Sequence, residues 1–125
     1  MNAEKYTQKT LDAVKAAQSM AQENGNQYLT PEHLLYALVD QDGGLIASLF
    51  GKMGVDCDGL LSELDTLIRR LPKVSGGSGE VYASPETGKI LNLAEKTAEK
   101  LHDDYISVEH LMLAIFSEGT SDIKQ

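Results

Sequence analysis

The sequence predicts an all-α domain made of two pseudo-symmetric repeats, and three observations lead to this prediction. A block of similar sequence occurs twice, at residues 28–38 (YLTPEHLLYAL) and 105–115 (YISVEHLMLAI), shifted by 77 positions. Outside these blocks, apolar residues recur at spacings of three and four, which is the helical period. No segment alternates between apolar and polar residues, so no strand is predicted. We give the internal repeat the most weight, because a repeat decides how the predicted elements pair.

The first predicted helix follows Thr7. The Thr7 hydroxyl can accept a hydrogen bond from a backbone N–H of the first turn, which makes this residue the expected N-cap. Asn24-Gly25-Asn26 is expected to end the helix, because these residue types tolerate positive φ. One apolar stripe runs along the helix, formed by Leu11, Val14, Ala17 and Ala21.

Each copy of the repeated block is predicted to begin a helix. Thr30 and Ser107 are the expected N-caps, and Pro31 occupies the first helical position, where a missing N–H costs nothing. Glu32 and Glu109 place a carboxylate in the first turn, against the helix dipole. The two helices are predicted to span residues 31–39 and 108–116.

Three further helices complete the prediction. A short one spans residues 45–53, and a longer one follows the N-cap Asp56 and carries a leucine-rich stripe as far as Pro72. The second half begins with another helix, signalled by Ser84-Pro85-Glu86: an N-cap residue, a proline at the first helical position and an acidic residue in the first turn. The apolar stripe of the helix that follows Ser84 is expected at Leu91, Ala94, Ala98 and Leu101.

These elements give one domain over residues 1–125, in two four-helix repeats of which the second is incomplete. Repeat one covers about 1–73 and repeat two covers 83–125, with a Gly/Ser-rich linker at 74–82. In repeat one, two helices follow the block; their counterparts in repeat two would begin near Ile123, close to the last residue, Gln125. The second repeat is therefore predicted to be truncated at its C-terminal end.

The composition excludes several classes of function. A net charge of −8 argues against binding to nucleic acid, which needs clustered basic residues. The longest apolar run, residues 34–39, is too short to span a membrane. The N-terminus lacks the layout of a signal peptide, and a single cysteine, Cys57, fits a reducing compartment. We therefore expect a cytoplasmic protein.

No catalytic, metal or cofactor site is predicted. Gly88-Lys89 lacks the other elements of a phosphate-binding loop, and the histidines lack the spacing of zinc ligands. His33 and His110 are interpreted as first-turn residues with local hydrogen bonds. Cys57 lies between two aspartates and has no histidine near it in sequence, so no catalytic role is expected for it.

Two features leave a structural and a functional interpretation open. Glu32 and Glu109 can simply complement helix dipoles, or they can form an acidic rim for a basic or polar ligand. In the second interpretation, Asp103 and Asp104 add to the rim just before the second helix. On the helix that follows Ser84, Ile90, Leu93 and Thr97 lie beside the apolar stripe. They can either widen the core face or border a groove for an extended apolar segment of another chain.

The repeated Thr-Pro-Glu-His-Leu-Leu and Ser-Val-Glu-His-Leu-Met blocks resemble the paired motifs of the Clp amino-terminal domain of AAA+ chaperones. The resemblance covers the whole chain, and residues 6–11, 70–73 and the linker favour the ClpB branch over ClpA and ClpC. In that family the module has two repeats of four helices, so the short second repeat departs from the pattern.

The resemblance implies a non-catalytic module that captures unfolded or aggregated client proteins for a parent chain, which would be an ATPase and a hexameric ring. Matching positions in the family's polar surface are Thr7, Asp103 and Glu109, and its apolar groove corresponds to Leu91 and Leu93. In the ClpC branch, Glu32 and Glu109 would instead belong to phosphoarginine or adaptor-docking sites.

Overall fold

The computed structural model describes residues 3–74 and 79–118, and within these ranges the chain forms six α-helices. They are α1 (Gln8–Glu23), α2 (Pro31–Asp40), α3 (Leu45–Lys52), α4 (Cys57–Arg69), α5 (Pro85–Lys100) and α6 (Val108–Glu118), preceded by a 3-10 turn at Ala3–Lys5. All six predicted helices are confirmed, with ends that agree to within three residues. In the described part of the chain, no helix is both long and apolar enough to cross a membrane.

Side-chain caps begin three of the helices as the sequence predicts. Thr7 Oγ1, Asp56 Oδ1 and Ser84 Oγ each accept a hydrogen bond from the backbone N–H three residues on, at 3.2, 3.1 and 3.1 Å. Gly25 has φ of 74°, so the chain leaves α1 through the left-handed conformation expected of Asn24-Gly25-Asn26. Local sequence signals therefore fix where these helices begin and end.

Two short parallel pairings join the repeats, although no strand was predicted. Strand β1 (Tyr28–Leu29) pairs with β2 (Tyr82–Ala83), and Tyr6 forms an isolated bridge with Ile106. Residues 77 positions apart are equivalent in the two repeats, so Tyr6 corresponds to Ala83 and Leu29 corresponds to Ile106. The two pairings are therefore equivalent: in each, the segment before the first helix of one repeat lies beside the segment before the second helix of the other. Pairings of one or two residues are too short to show a two-residue period, and the sequence pattern therefore gives no sign of them.

Two buried threonine hydroxyls reinforce this reciprocal contact. Thr10 Oγ1 donates to the carbonyl of Ile106 at 3.1 Å, and Thr87 Oγ1 donates to the carbonyl of Leu29 at 2.7 Å. Both threonines are fully buried, so each hydroxyl satisfies a carbonyl that water cannot reach. The first helix of each repeat is thereby hydrogen-bonded to the segment before the second helix of the other.

Within repeat one, α1 and α4 pack on α2, and within repeat two, α5 packs on α6. Helix α6 also contacts α1, α2 and α3, so one core extends across both repeats. Its largest fully buried aliphatic side chains are Leu34, Leu38, Ile46, Ile90, Leu111 and Ile115. The predicted stripe of α5 was partly wrong: Ile90 is fully buried, whereas Leu91 is only half-buried. Leu101 is 59% exposed, because α5 ends at Lys100 and the chain turns away from the core.

Two sequence predictions concern residues outside these ranges. Residues 75–78 of the predicted linker, which spans 74–82, lie outside the described residues. The predicted truncation of the second repeat concerns the chain after residue 118, which also lies outside them.

Candidate functional site

His33 ties the first turn of α2 to the preceding loop. Its Nδ1 accepts from the backbone N–H of Thr30 at 3.0 Å, so its proton lies on Nε2, which donates to Asn26 Oδ1 at 3.0 Å. The imidazole is fully buried, and this burial lowers the pKa of His33 from 6.5 to about 4. The prediction of local hydrogen bonds for this histidine is confirmed.

His110 repeats the arrangement in the second half with one chemical change. Its Nδ1 accepts from the Ser107 backbone N–H at 2.9 Å, and its Nε2 donates to Asp103 Oδ2 at 2.8 Å. Asp103 occupies the position of Asn26, so a carboxylate replaces an amide. The His110 side chain is 8% exposed, whereas that of Asp103 is 47% exposed, so the histidine holds a carboxylate that faces solvent.

A surface pocket of about 410 Å³ surrounds this carboxylate, and we call it the polar pocket. Its lining residues are Thr7, Asp103, Asp104, Tyr105, Ser107, Glu109 and His110. The three polar residues assigned to substrate binding, Thr7, Asp103 and Glu109, therefore line one site. Thr7 comes from repeat one and the other two from repeat two, so the packing of the repeats creates the pocket.

The hydrogen-bond directions leave mainly acceptors in the polar pocket. Thr10 Oγ1 gives its proton to Ile106, so Thr7 Oγ1, 2.7 Å away, donates to Thr10 and keeps a free lone pair. The His110 Nε2 proton is directed at Asp103. With Glu109 also on the wall, the pocket suits ligands that bring hydrogen-bond donors or positive charge.

A second pocket, of about 470 Å³, adjoins the first and shares Asp103, Asp104 and Tyr105 with it. Its other lining residues are Lys5, Glu95, Ala98, Glu99 and Ile106. Tyr6 is buried nearby, and burial together with the Glu95 carboxylate raises the pKa of its hydroxyl above the usual range. Glu95 and Glu99 were not predicted to belong to a site, because they lie on α5 and show no local motif, whereas Asp103 was predicted from the family resemblance.

The other predicted site residues lie elsewhere. Leu91 and Leu93 are half-buried and pack against the core, and neither lines either pocket. Ile90 belongs to the core face, as the structural interpretation of that helix expected. Glu32 is half-buried and does not line the polar pocket, whereas its counterpart Glu109 is exposed and does.

The structure offers little for metal or thiol chemistry. Within residues 3–74 and 79–118, no three His, Cys, Asp or Glu residues are grouped as a metal site would require. The half-buried Cys57 has its Sγ 3.8 Å from the carbonyl oxygen of Ala47.

Comparison with known proteins agrees with this architecture. The family model described as the Clp repeat (R) N-terminal domain matches residues 5–125. The chaperone protein ClpB of Brucella suis is 41% identical over 121 residues, which are 97% of this chain and 14% of that protein. ClpB of Bacillus cereus is 42% identical over 128 residues, covering 100% of this chain and 15% of that protein. The chain thus spans about one seventh of the length of these relatives.

A solved structure shows the same fold at lower identity. The Hsp104 N-terminal domain from Candida albicans superposes with a TM-score of 0.80 at 19% identity, covering 94% of this chain and 84% of that one. The two interlocked repeats and the sequence matches define a chaperone N-domain of the Clp/Hsp100 class, which is not an enzyme. The chain belongs to the Clp repeat (R) N-terminal domain family.

Proposed function

We propose that this domain captures unfolded or aggregated polypeptide for a ClpB-type disaggregase, with the polar pocket as its main contact. The observation that carries the proposal is that Thr7, Asp103 and Glu109 line one open pocket built from both repeats. Extended polypeptide offers what such a pocket lacks, because it brings backbone N–H groups and donor side chains. We place the parent protein in the cytoplasm as a hexameric ring that carries the ATPase modules.

Weak binding at each site suits this role. A ring presents several copies of the domain, so avidity raises capture while every single contact stays reversible. Leu91 and Leu93 extend the proposed surface along α5, where their half-buried side chains can receive apolar parts of a client.

Chemical-shift mapping with an unfolded model client tests the site directly. We expect shifts at residues 103–110, and a several-fold loss of affinity in Glu109→Gln, because this exposed carboxylate faces the pocket. Glu63→Gln is the matched control, since it removes the same charge from an exposed position on α4. Shifts confined to repeat one, or unchanged binding by Glu109→Gln, would contradict the proposal.

The alternative of phosphoarginine or adaptor docking at Glu32 and Glu109 predicts two similar sites. Glu32 is half-buried whereas Glu109 is exposed, so the two positions are unequal, which favours client capture. A titration with free phosphoarginine separates the two functions: shifts at both glutamates at millimolar ligand would support docking, and no response would eliminate it.

A further inference from the structure

The turn that ends α1 contains a pair of residues with an intrinsic chemical reactivity, Asn24-Gly25. Of the four asparagines in the chain, Asn24 alone precedes a glycine. The backbone nitrogen that follows an asparagine can attack the side-chain amide carbon, and glycine hinders this attack least because it has no side chain. The counterpart residues in repeat two are Leu101 and His102, which cannot react in this way. Asn24-Gly25 is therefore the sequence in this chain that is most prone to deamidation.

The reaction consumes water and releases ammonia. The Gly25 nitrogen gives up its proton and forms a bond to Asn24 Cγ, while the Cγ–Nδ2 bond breaks. The proton passes through solvent to Nδ2, which leaves as ammonia. Water then opens the resulting cyclic imide at either of its carbonyl groups, and the product is aspartate or isoaspartate.

Three features of the folded turn oppose the attack. Asn24 has ψ of 0°, which eclipses the Gly25 nitrogen with the Asn24 nitrogen instead of turning it toward Cβ, so the imide ring cannot close in this conformation. The Gly25 N–H donates to the Gln22 carbonyl at 3.1 Å, and the attacking nitrogen is thus already engaged. The Asn24 amide donates to the Ile68 carbonyl at 2.9 Å and to Asn26 Oδ1 at 3.0 Å, which fixes the group under attack.

The end of α4 and the residues after it hold the turn in this conformation. The Val74 N–H donates to the Gly25 carbonyl at 2.8 Å, and Asn26 Nδ2 donates to the Pro72 carbonyl at 3.1 Å. We call these two bonds, together with the bond from Asn24 to α4, the latch. Every residue of the latch belongs to repeat one, and both of its sides lie within the described residues.

We propose that Asn24-Gly25 is a deamidation site that the latch keeps closed, and that its reaction prevents the latch from closing again. The site reacts in molecules whose latch has opened, and a carboxylate then replaces the amide that donates to Ile68 and Asn26. A carboxylate has no proton to donate and meets two oxygen acceptors there, so the contact between α1 and α4 is lost. A transient opening of repeat one thus becomes a permanent chemical change. This inference needs no client and stands apart from the proposed function.

The first test compares the 125-residue chain with a free peptide of residues 20–28 at mildly alkaline pH. Mass spectrometry of proteolytic fragments measures the loss of Asn24 over time. Local opening costs between almost nothing and the full stability of a domain. We expect the folded chain to react at least about tenfold more slowly than the peptide, which corresponds to about 1.4 kcal/mol of protection. Equal rates in the two would overturn the inference.

Two variants test whether the latch provides the protection. Val74→Pro removes the N–H that bonds Gly25, at a residue that is 48% exposed, and Asn26→Ala removes the bond to Pro72. We expect both to fold by circular dichroism and to deamidate several-fold faster than the wild type.

Thr10→Val is the control, because it removes a buried hydrogen bond between the repeats and leaves the latch intact. It should deamidate at the wild-type rate. Acceleration by Thr10→Val equal to that by the latch variants would assign the protection to the whole fold and would contradict the inference, as would wild-type rates in both latch variants.

Asn24→Asp reproduces the aspartate product and tests the consequence of the reaction. We expect a lower urea midpoint and faster hydrogen exchange in α4 than in the wild type, because the bond to Ile68 is lost. Asn92→Asp adds the same charge at an exposed position of α5 and should leave both properties unchanged. If α4 exchanges at the wild-type rate in Asn24→Asp, deamidation does not open the latch and the inference fails.

Discussion

Burial of His33 predicts that acid destabilises this fold through one identifiable group. The pKa of His33 is lowered to about 4 from its ordinary 6.5, because the imidazole is fully buried and neutral between Thr30 and Asn26. Between these two pKa values the unfolded chain binds a proton that the folded chain excludes. The stabilisation from neutral His33 is therefore complete above pH 6.5 and is lost as the pH falls towards 4.

The size of the effect follows from the two pKa values. Relative to pH 7, the linkage removes about 2 kcal/mol of unfolding free energy at pH 5 and about 3 kcal/mol at pH 4. Domains of this size are stable by only about 5–15 kcal/mol, so the change is easily measured.

The measurement is urea unfolding followed by circular dichroism at several pH values, with His33→Gln as the comparison. Glutamine at the third helical position can still accept the Thr30 N–H, so this variant keeps the cap without the titrating ring. Between pH 7 and pH 5, we expect the unfolding free energy of this variant to fall by about 2 kcal/mol less than that of the wild type. Equal pH dependence in wild type and variant would refute the assignment to His33.

Three further substitutions test individual hydrogen bonds of the fold. Thr10→Val removes the buried donor to the Ile106 carbonyl and should cost about 1–3 kcal/mol in urea unfolding, while retaining the wild-type pH dependence. Asp56→Ala removes the cap of α4 and should cost about 1 kcal/mol; a loss near zero would contradict the cap. Asn26→Asp places a carboxylate against the Pro72 carbonyl in a buried site and should cost about 1–3 kcal/mol, seen as a lower urea midpoint.

The helices were predictable because their signals are local. A hydroxyl or carboxylate cap acts within one turn, and a stripe of apolar residues is visible in a short window of sequence, as at Thr7, Asp56 and Ser84. The repeat added a further constraint, since an element found in one half was expected at the same offset in the other.

The contacts between the repeats were not predictable in the same way. An analysis of apolar periodicity treats Thr10 and Thr87 as polar residues and so does not place them in the core. Both are nevertheless fully buried, because each hydroxyl donates a hydrogen bond to a carbonyl of the other repeat. Their positions differ by the repeat offset, and this was the available clue: two hydroxyl residues one turn after a cap, matched in both halves. The pairing itself depends on tertiary packing that no local window contains.

The candidate site was predictable in part, for a related reason. Thr7, Asp103 and Glu109 came from resemblance to a family, and the structure places them around one pocket. The roles of His33 and His110 beyond their own turns were missed, because each bond to Asn26 or Asp103 crosses the loop between two helices.

The two repeats differ in the loop between their first and second helices. Residues that lock the halves together have equivalents of the same kind, as the pair Thr10 and Thr87 shows. At Asn26 and Asp103 the backbone geometry and the histidine partner are retained, and the amide alone is replaced by a carboxylate. The Asn26 amide can donate to the Pro72 carbonyl of its own chain, whereas the Asp103 carboxylate accepts from His110 and lines the polar pocket. The two loops thus place different chemistry in one backbone frame, an amide for a contact within repeat one and a carboxylate on the wall of the polar pocket.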